Sequence, residues 1–180
     1  MNFKVIDSNL VFNGKVFDVK VDTIEYNGTG NKAQRQVAIH PGGAVVVPVT
    51  SQGKIILVSQ YRYPHNKVIL ELPAGKLEKG EDPSVCATRE LKEETGYTSN
   101  NVSKLGKIFT TPGFCDEILH IYLAEHLIEG DHAREEGEEG MLLHELTLQE
   151  IDEKIGSGEI EDAKTICGIY MYKLSAERKM

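Results

Sequence analysis

Glu90, Glu93 and Glu94 stand three and four residues apart, with Arg89 directly before them. At 3.6 residues per turn, those spacings place the carboxylates on one helical face. Glu90 and Glu94 form a like-charged i,i+4 pair, which costs an isolated helix about 0.2–0.5 kcal/mol. Arg89 offsets part of that cost. A solvated acidic face is the ordinary alternative for such a run. Three close carboxylates are also a good seat for a hard divalent cation such as Mg²⁺.

The elements around the acids have clear local signals. Asp82 is a good N-cap, Pro83 then falls at the first helical position, and Gly96 suits the left-handed residue that ends a helix. A helix is therefore predicted from Pro83 to Thr95. Before it come Pro73-Ala74-Gly75 and a charged turn through Gly80 and Glu81. The unit reads as strand, loop and helix, with its acids at defined offsets.

Elsewhere, alternation and turn residues predict strands at 15–26 and 34–39, joined as a hairpin by Asn27-Gly28-Thr29-Gly30-Asn31. Further strands are predicted at 44–49, 54–61, 68–72, 105–109, 118–124 and 141–146. Thr147 and Glu150 form a capping box that opens a helix running to about Ile155. Asp162 caps a last helix reaching about Leu174. A mixed sheet with few helices predicts one α+β domain.

Composition narrows the function classes. The chain has 180 residues, 40% of them apolar and 27% charged, as expected for a globular domain with a real core. No apolar run approaches the roughly 18 residues of a membrane helix. The opening MNFKVIDSNL lacks the pattern of a signal peptide. Cys86, Cys115 and Cys167 are odd in number and far apart, which suits thiols in a reducing cytoplasm better than disulfides or a zinc site. The net charge is −8, and residues 129–162 alone carry −11. Such a balance argues against sequence-independent nucleic-acid binding. The histidines are scattered, without metal-ligand spacing.

Gly75, Glu81, Arg89, Glu90, Leu91, Glu93, Glu94, Gly96 and Tyr97 together reproduce a longer pattern. It reads Gly, five residues, Glu, seven residues, then Arg-Glu-aliphatic-x-Glu-Glu-x-Gly-apolar. This resembles the signature of the Nudix hydrolases, and so many fixed positions make a chance match improbable. The segment from Ile69 to Glu81 resembles the ADP-ribose pyrophosphatase branch. So does Thr111-Pro112-Gly113-Phe114-Cys115-Asp116-Glu117, whose proline lies sixteen residues past Gly96. Gln60-Tyr61-Arg62 and Asp162-Ala163-Lys164-Thr165 add to the likeness, which extends over nearly the whole chain.

The resemblance implies an α/β/α sandwich with a mixed central sheet and an N-terminal antiparallel hairpin. It implies one domain, with residues 1–40 used in dimerisation and 41–175 as the catalytic core. The implied reaction is Mg²⁺-dependent hydrolysis, with Mn²⁺ as a substitute, of ADP-ribose or a related nucleoside diphosphate sugar. Glu90, Glu93, Glu94 and the Ala74 carbonyl are the implied metal ligands. Arg89 and Glu81 would hold the carboxylates in place beside Gly75. The general base of the branch is a glutamate on a late loop, here within Arg134–Gly140. Aligning on Thr147-Leu148 favours Glu139, and a slip of one to three residues gives Glu138 or Glu136. A homodimer with exchanged N-terminal strands is implied as well.

Substrate contacts follow from chemistry. Arg35 and Arg62 are candidates to grip phosphates, because planar guanidinium groups pair bidentately with phosphate oxygens. Phe17 is a candidate to stack on the base, or else belongs to the core. Phe114 and Glu117 flank the marker proline and are candidates for the terminal-ribose pocket. Two rival readings remain. One is a pyrophosphohydrolase of nucleoside triphosphates or dinucleoside polyphosphates, which Pro112 argues against. The other is a non-catalytic nucleotide-sugar-binding regulator, which the complete set of glutamates argues against.

Overall fold

The computed structural model describes residues 2–131 and 140–178. The chain forms two compact units. The smaller comprises Met1–Gly42 and Phe109–Ile118, the larger Gly43–Ile108 and Leu119–Met180.

In the smaller unit, strands β1 (Phe3–Asn13), β2 (Asp18–Tyr26) and β3 (Lys32–Ile39) form an antiparallel sheet in that order. The β2–β3 hairpin is the one expected from the turn residues, with Gly30 at φ 70° closing the turn by donating to the Tyr26 carbonyl. The eleven residues of β1 were not expected as a strand. They pair along β2, with register shifts between Val5 and Asp7 and between Leu10 and Phe12. Ala38 bonds the turn after Phe109 on both sides: its N–H donates to the Phe114 carbonyl, and its carbonyl accepts from Asp116.

The larger unit is built on β4 (Gly43–Pro48), which is buried along its whole length. β5 (Ile55–Arg62) and β6 (Lys67–Glu71) follow, joined by a 3₁₀ turn at Tyr63–His65. Then come β7 (Ala74–Lys76), α1 (Pro83–Thr95), β8 (Tyr97–Thr98), β9 (Asn101–Phe109), β10 (Ile118–Glu125) and β11 (Ile128–Glu129). β12 (Leu142–Leu146), α2 (Leu148–Ser157) and α3 (Ala163–Glu177) complete it. A four-stranded sheet runs in the order β7-β4-β10-β9, with β4 and β10 parallel and β7 antiparallel to β4. β12-β5-β6 forms a second sheet and β11-β8 a third.

The side-chain period of two explains why β4 is apolar throughout. Val45 and Val47 join Ile121 and Leu123 of β10, Ile151 of α2 and Ile169 of α3 in one cluster. The alternate residues Ala44 and Val46 meet Cys86, Ala87 and Leu91 of α1 on the other face. Helices thus cover both faces of this sheet, the layering that was expected. Each fully buried aliphatic chain contributes about 1.5–3 kcal/mol relative to exposure. α3 comes close enough that a Cβ on Gly168 would lie 2.6 Å from Leu72 Cδ1.

The helix signals were accurate. Asp82 caps α1 by accepting from Ser84 N–H, and Gly96 ends it at φ 78°. The Thr147–Glu150 capping box is present, and α2 continues two residues beyond Ile155 to Ser157. α3 starts behind Asp162 and runs three residues past Leu174. Strand bounds moved more: β2 begins at Asp18 rather than 15, and β9 at Asn101 rather than 105. Among the described residues, no helix is long and apolar enough to cross a membrane.

Candidate functional site

A cleft of about 280 Å³ opens in the larger unit where α1, β5 and β7 converge. From α1 it takes Arg89, Glu90, Glu93 and Glu94. Ala74, Gly75 and Lys76 line it from β7, with Glu78 just beyond, and Gln60 and Arg62 line it from β5.

The loop and the helix fit each other atom by atom. The Ala74 N–H donates to Glu94 Oε2 at 3.0 Å. A Cβ on Gly75 would fall 1.7 Å from Glu90 Oε1, so the missing side chain is what gives Glu90 its place. Glu90 and Glu94 are only 7% and 2% exposed, unusual burial for acids and a sign that neighbouring groups hold them.

Arg89 lies across the cluster. Its Nη1 donates to Glu90 Oε1 at 2.6 Å and to Glu93 Oε2 at 2.8 Å. Nε and Nη2 donate to the two Glu81 oxygens at 3.1 and 3.2 Å, and Nη2 also reaches the Lys76 carbonyl. These bonds, Glu81's first, raise the Arg89 pKa above its ordinary value. The Arg89 bond holds the Glu81 carboxyl below the usual range in turn. One guanidinium therefore serves three carboxylates, and the group retains negative charge.

Among the described residues, no three His, Cys, Asp or Glu side chains are already gathered as a metal cage. Glu90 and Glu93 are turned onto Arg89, and Glu94 onto the Ala74 N–H. The donor chemistry nevertheless fits a hard divalent cation: the carboxylate oxygens outnumber the one guanidinium they share, and the bare Gly75 backbone lets the Glu90 carboxylate sit against the strand. Cys86 is no rival nucleophile. Burial, with Glu81 and Glu90 nearby, pushes its thiol up to about 12.

Arg62, a candidate phosphate ligand, reaches the cleft and pairs bidentately with Glu71, at 2.7 Å from Nε and 2.8 Å from Nη2. The other candidate contacts belong to the smaller unit. Arg35 donates to the Gln34 carbonyl and the Tyr26 hydroxyl. Phe17 is 44% exposed beside the Phe12 ring, so it is not a core aromatic. Phe114 is exposed, and Glu117 lies 3.2 Å from His40 Nδ1. Glu136, Glu138 and Glu139 lie outside the described residues.

Gln60, Lys76 and Glu78 line the cleft without having been expected there. Gln60 was within reach of the sequence, because residues two apart on a strand share a face and Arg62 had already been singled out. Lys76 and Glu78 carry no comparable signal.

Residues 39–166 match the NUDIX domain family. An ADP-ribose pyrophosphatase from Bacillus subtilis (strain 168) is 43% identical over 95% of this chain and 92% of its own length. A methanol dehydrogenase activator from Bacillus methanolicus is 41% identical over 98% of this chain and 95% of its own length. The crystal structure of an ADP compounds hydrolase, 18% identical, superposes with a TM-score of 0.88 over 99% of this chain and 96% of that one. At that identity, the last likeness speaks to the fold alone.

Proposed function

The chain belongs to the Nudix family of hydrolases, and from that premise we propose that it cuts the pyrophosphate of ADP-ribose or a related nucleoside diphosphate sugar. The products are a nucleoside monophosphate and a sugar phosphate. The observation that carries this reading is the carboxylate cluster of α1 set against the Ala74–Gly75 strand.

Glu90, Glu93, Glu94 and the Ala74 carbonyl are the groups to hold the divalent ion, Mg²⁺ with Mn²⁺ as its substitute. When bound, the ion neutralises charge on the pyrophosphate oxygens as a Lewis acid. Arg89 keeps Glu90 and Glu93 together, and Glu81 keeps Arg89 in place. Arg62 receives a phosphate oxygen at the cleft, and Arg35 is assigned the same kind of contact. Phe17 is assigned to the base, and Phe114 and Glu117 to the terminal ribose. In the reaction, a water oxygen bonds to one phosphorus and the bridging P–O bond breaks. The bridging oxygen leaves with the other phosphate, and the water proton passes to Glu139, or to Glu138 or Glu136 on the same segment.

A panel of ADP-ribose, ADP-glucose, GDP-mannose, UDP-glucose and diadenosine polyphosphates, with products identified, tests this reading. Turnover of ADP-ribose or another nucleotide sugar to a monophosphate and a sugar phosphate supports it. Turnover of the polyphosphates alone refutes it.

Gly75→Ala separates chemistry from stability. The added methyl collides with the end of the Glu90 side chain, which can swing aside, so the melting temperature should change little. Glu90 then leaves the cluster, and kcat should fall by about tenfold or more, as expected when a charged group is misplaced by about an ångström. Unchanged kcat would show that Glu90's position there is immaterial.

We also assign a homodimer in which residues 1–40 pair with a second copy, residues 41–175 forming the catalytic core of one domain. Val5, Leu10, Val11 and Phe12 of β1 are each more than half exposed, an apolar strand that a partner copy would cover. Light scattering at micromolar concentration should report a dimer, and a fully active monomer would refute the assignment. The three free thiols suit a reducing compartment, and we place the protein in the cytoplasm.

A further inference from the structure

Glu71 ends β6 with its side chain only 3% exposed. The function proposed above gives it no task. Its Oε1 accepts from Arg62 Nε at 2.7 Å, and its Oε2 accepts from Arg62 Nη2 at 2.8 Å. Lys164 Nζ donates to the same Oε2, and to Asp162 Oδ2 at 2.9 Å. Asp162 in turn accepts from the Thr165 N–H and hydroxyl, and Thr165 Oγ1 accepts from the Leu72 N–H at 2.8 Å. The chain of bonds runs from β5 through β6 to the first turn of α3. It balances two cations against two anions.

A buried ion pair is a poor device for stability, because desolvation cancels much of the attraction. It is a good device for orientation. Arg62 is the member of the network that reaches the cleft, and its side chain stays 38% exposed. The pair uses Nε and Nη2, so Nη1 and its two donors lie outside it. An arginine held this way has given up its rotamer freedom before any ligand arrives.

We infer that Glu71 is a positioning residue: it fixes the Arg62 guanidinium at the cleft so that Nη1 receives a phosphate oxygen of the substrate, and Lys164 steadies Glu71 from α3. This rests on the nucleotide-sugar reading above. Such a contact is present before and during reaction alike, so its loss falls on KM rather than kcat.

The test is a double-mutant cycle on steady-state hydrolysis of ADP-ribose with saturating Mg²⁺. Glu71→Gln keeps the side chain's shape and should raise KM by about tenfold with kcat within about twofold, the pattern of a lost uniform-binding contact. Arg62→Gln should do the same. The double variant should be no worse than Arg62→Gln alone, because Glu71 acts through Arg62. Multiplying KM effects in the double variant would overturn the inference. So would a Glu71→Gln enzyme with normal KM, or one whose loss is in kcat and melting temperature alone. If Glu71→Gln does not fold, Lys164→Met takes its place. It should raise KM less, and its effect should also vanish in the Arg62→Gln background; persistence there overturns the inference. Wild-type turnover of ADP-ribose in the same assay distinguishes the two failures. With it, an additive cycle sinks only the role of Glu71; without turnover of any nucleotide sugar, the functional reading falls and this inference with it.

Discussion

Glu93→Gln and Glu94→Gln should each lower turnover by about two orders of magnitude or more, while the protein stays folded. Glutamine keeps the size and helix propensity of glutamate and removes only the charge. α1 itself is secured elsewhere, by Asp82 at one end and Gly96 at the other. The two positions differ in surroundings. Glu93 is partly exposed and bonded to Arg89, so its loss leaves Arg89 with Glu81 and Glu90. Glu94 is buried and accepts from the Ala74 N–H, a bond that an amide oxygen can still receive. In neither case does the fold lose its hydrogen bond donors' partners, but in both the proposed dication site loses a negative charge. Circular dichroism melts and kinetics over a Mg²⁺ titration check this. Near-normal rates for both variants at saturating Mg²⁺ would remove the metal assignment.

The second large effect is expected from the acids before Gly140. A Glu→Gln series at Glu136, Glu138 and Glu139 should be uneven. One substitution should lower kcat by about 10²–10⁴, the usual range for a general base. Its KM should change little, since a base acts on the attacking water and not on the bound nucleotide. Activity should partly return at high pH, where hydroxide needs no base. The other two should be close to neutral. Wild-type kcat in all three variants and in the triple variant would move the base to Glu117 or to a glutamate of α1.

What could be read in advance divides by how local the signal is. The bounds of α1 were legible because Asp82-Pro83 and Gly96 act within a single turn of their own positions. The carboxylates were legible for the same reason, since helix periodicity alone brings 90, 93 and 94 together. β1 was not. Its side chains are nearly all exposed, so no buried face imposed a period of two on Phe3–Asn13. β7, β8 and β11 span two or three residues and are too short to have a period at all. The Arg62–Glu71–Lys164 network joins three elements, and its members reveal their partnership only once β5, β6 and α3 are in place. Phe17 illustrates the limit of residue type as a guide: an aromatic there suited either a base or the core, and only the structure shows it 44% exposed just before β2, beside the Phe12 ring.

Between α1 and the sheet lies a layer of small side chains: Ala44 from β4, and Cys86 and Ala87 from the helix, all without exposed surface. Small residues let a helix axis ride low over strands, and here that height sets the reach of the acids. Glu90 fills the space left by Gly75, and Glu94 meets the Ala74 N–H, because the helix stands no further away. Bulkier neighbours beneath it would lift every carboxylate together, with each charge and each hydrogen-bonding atom still present in the chain. The dimensions of the cleft are thus written partly in residue volumes, in a stratum with no surface of its own.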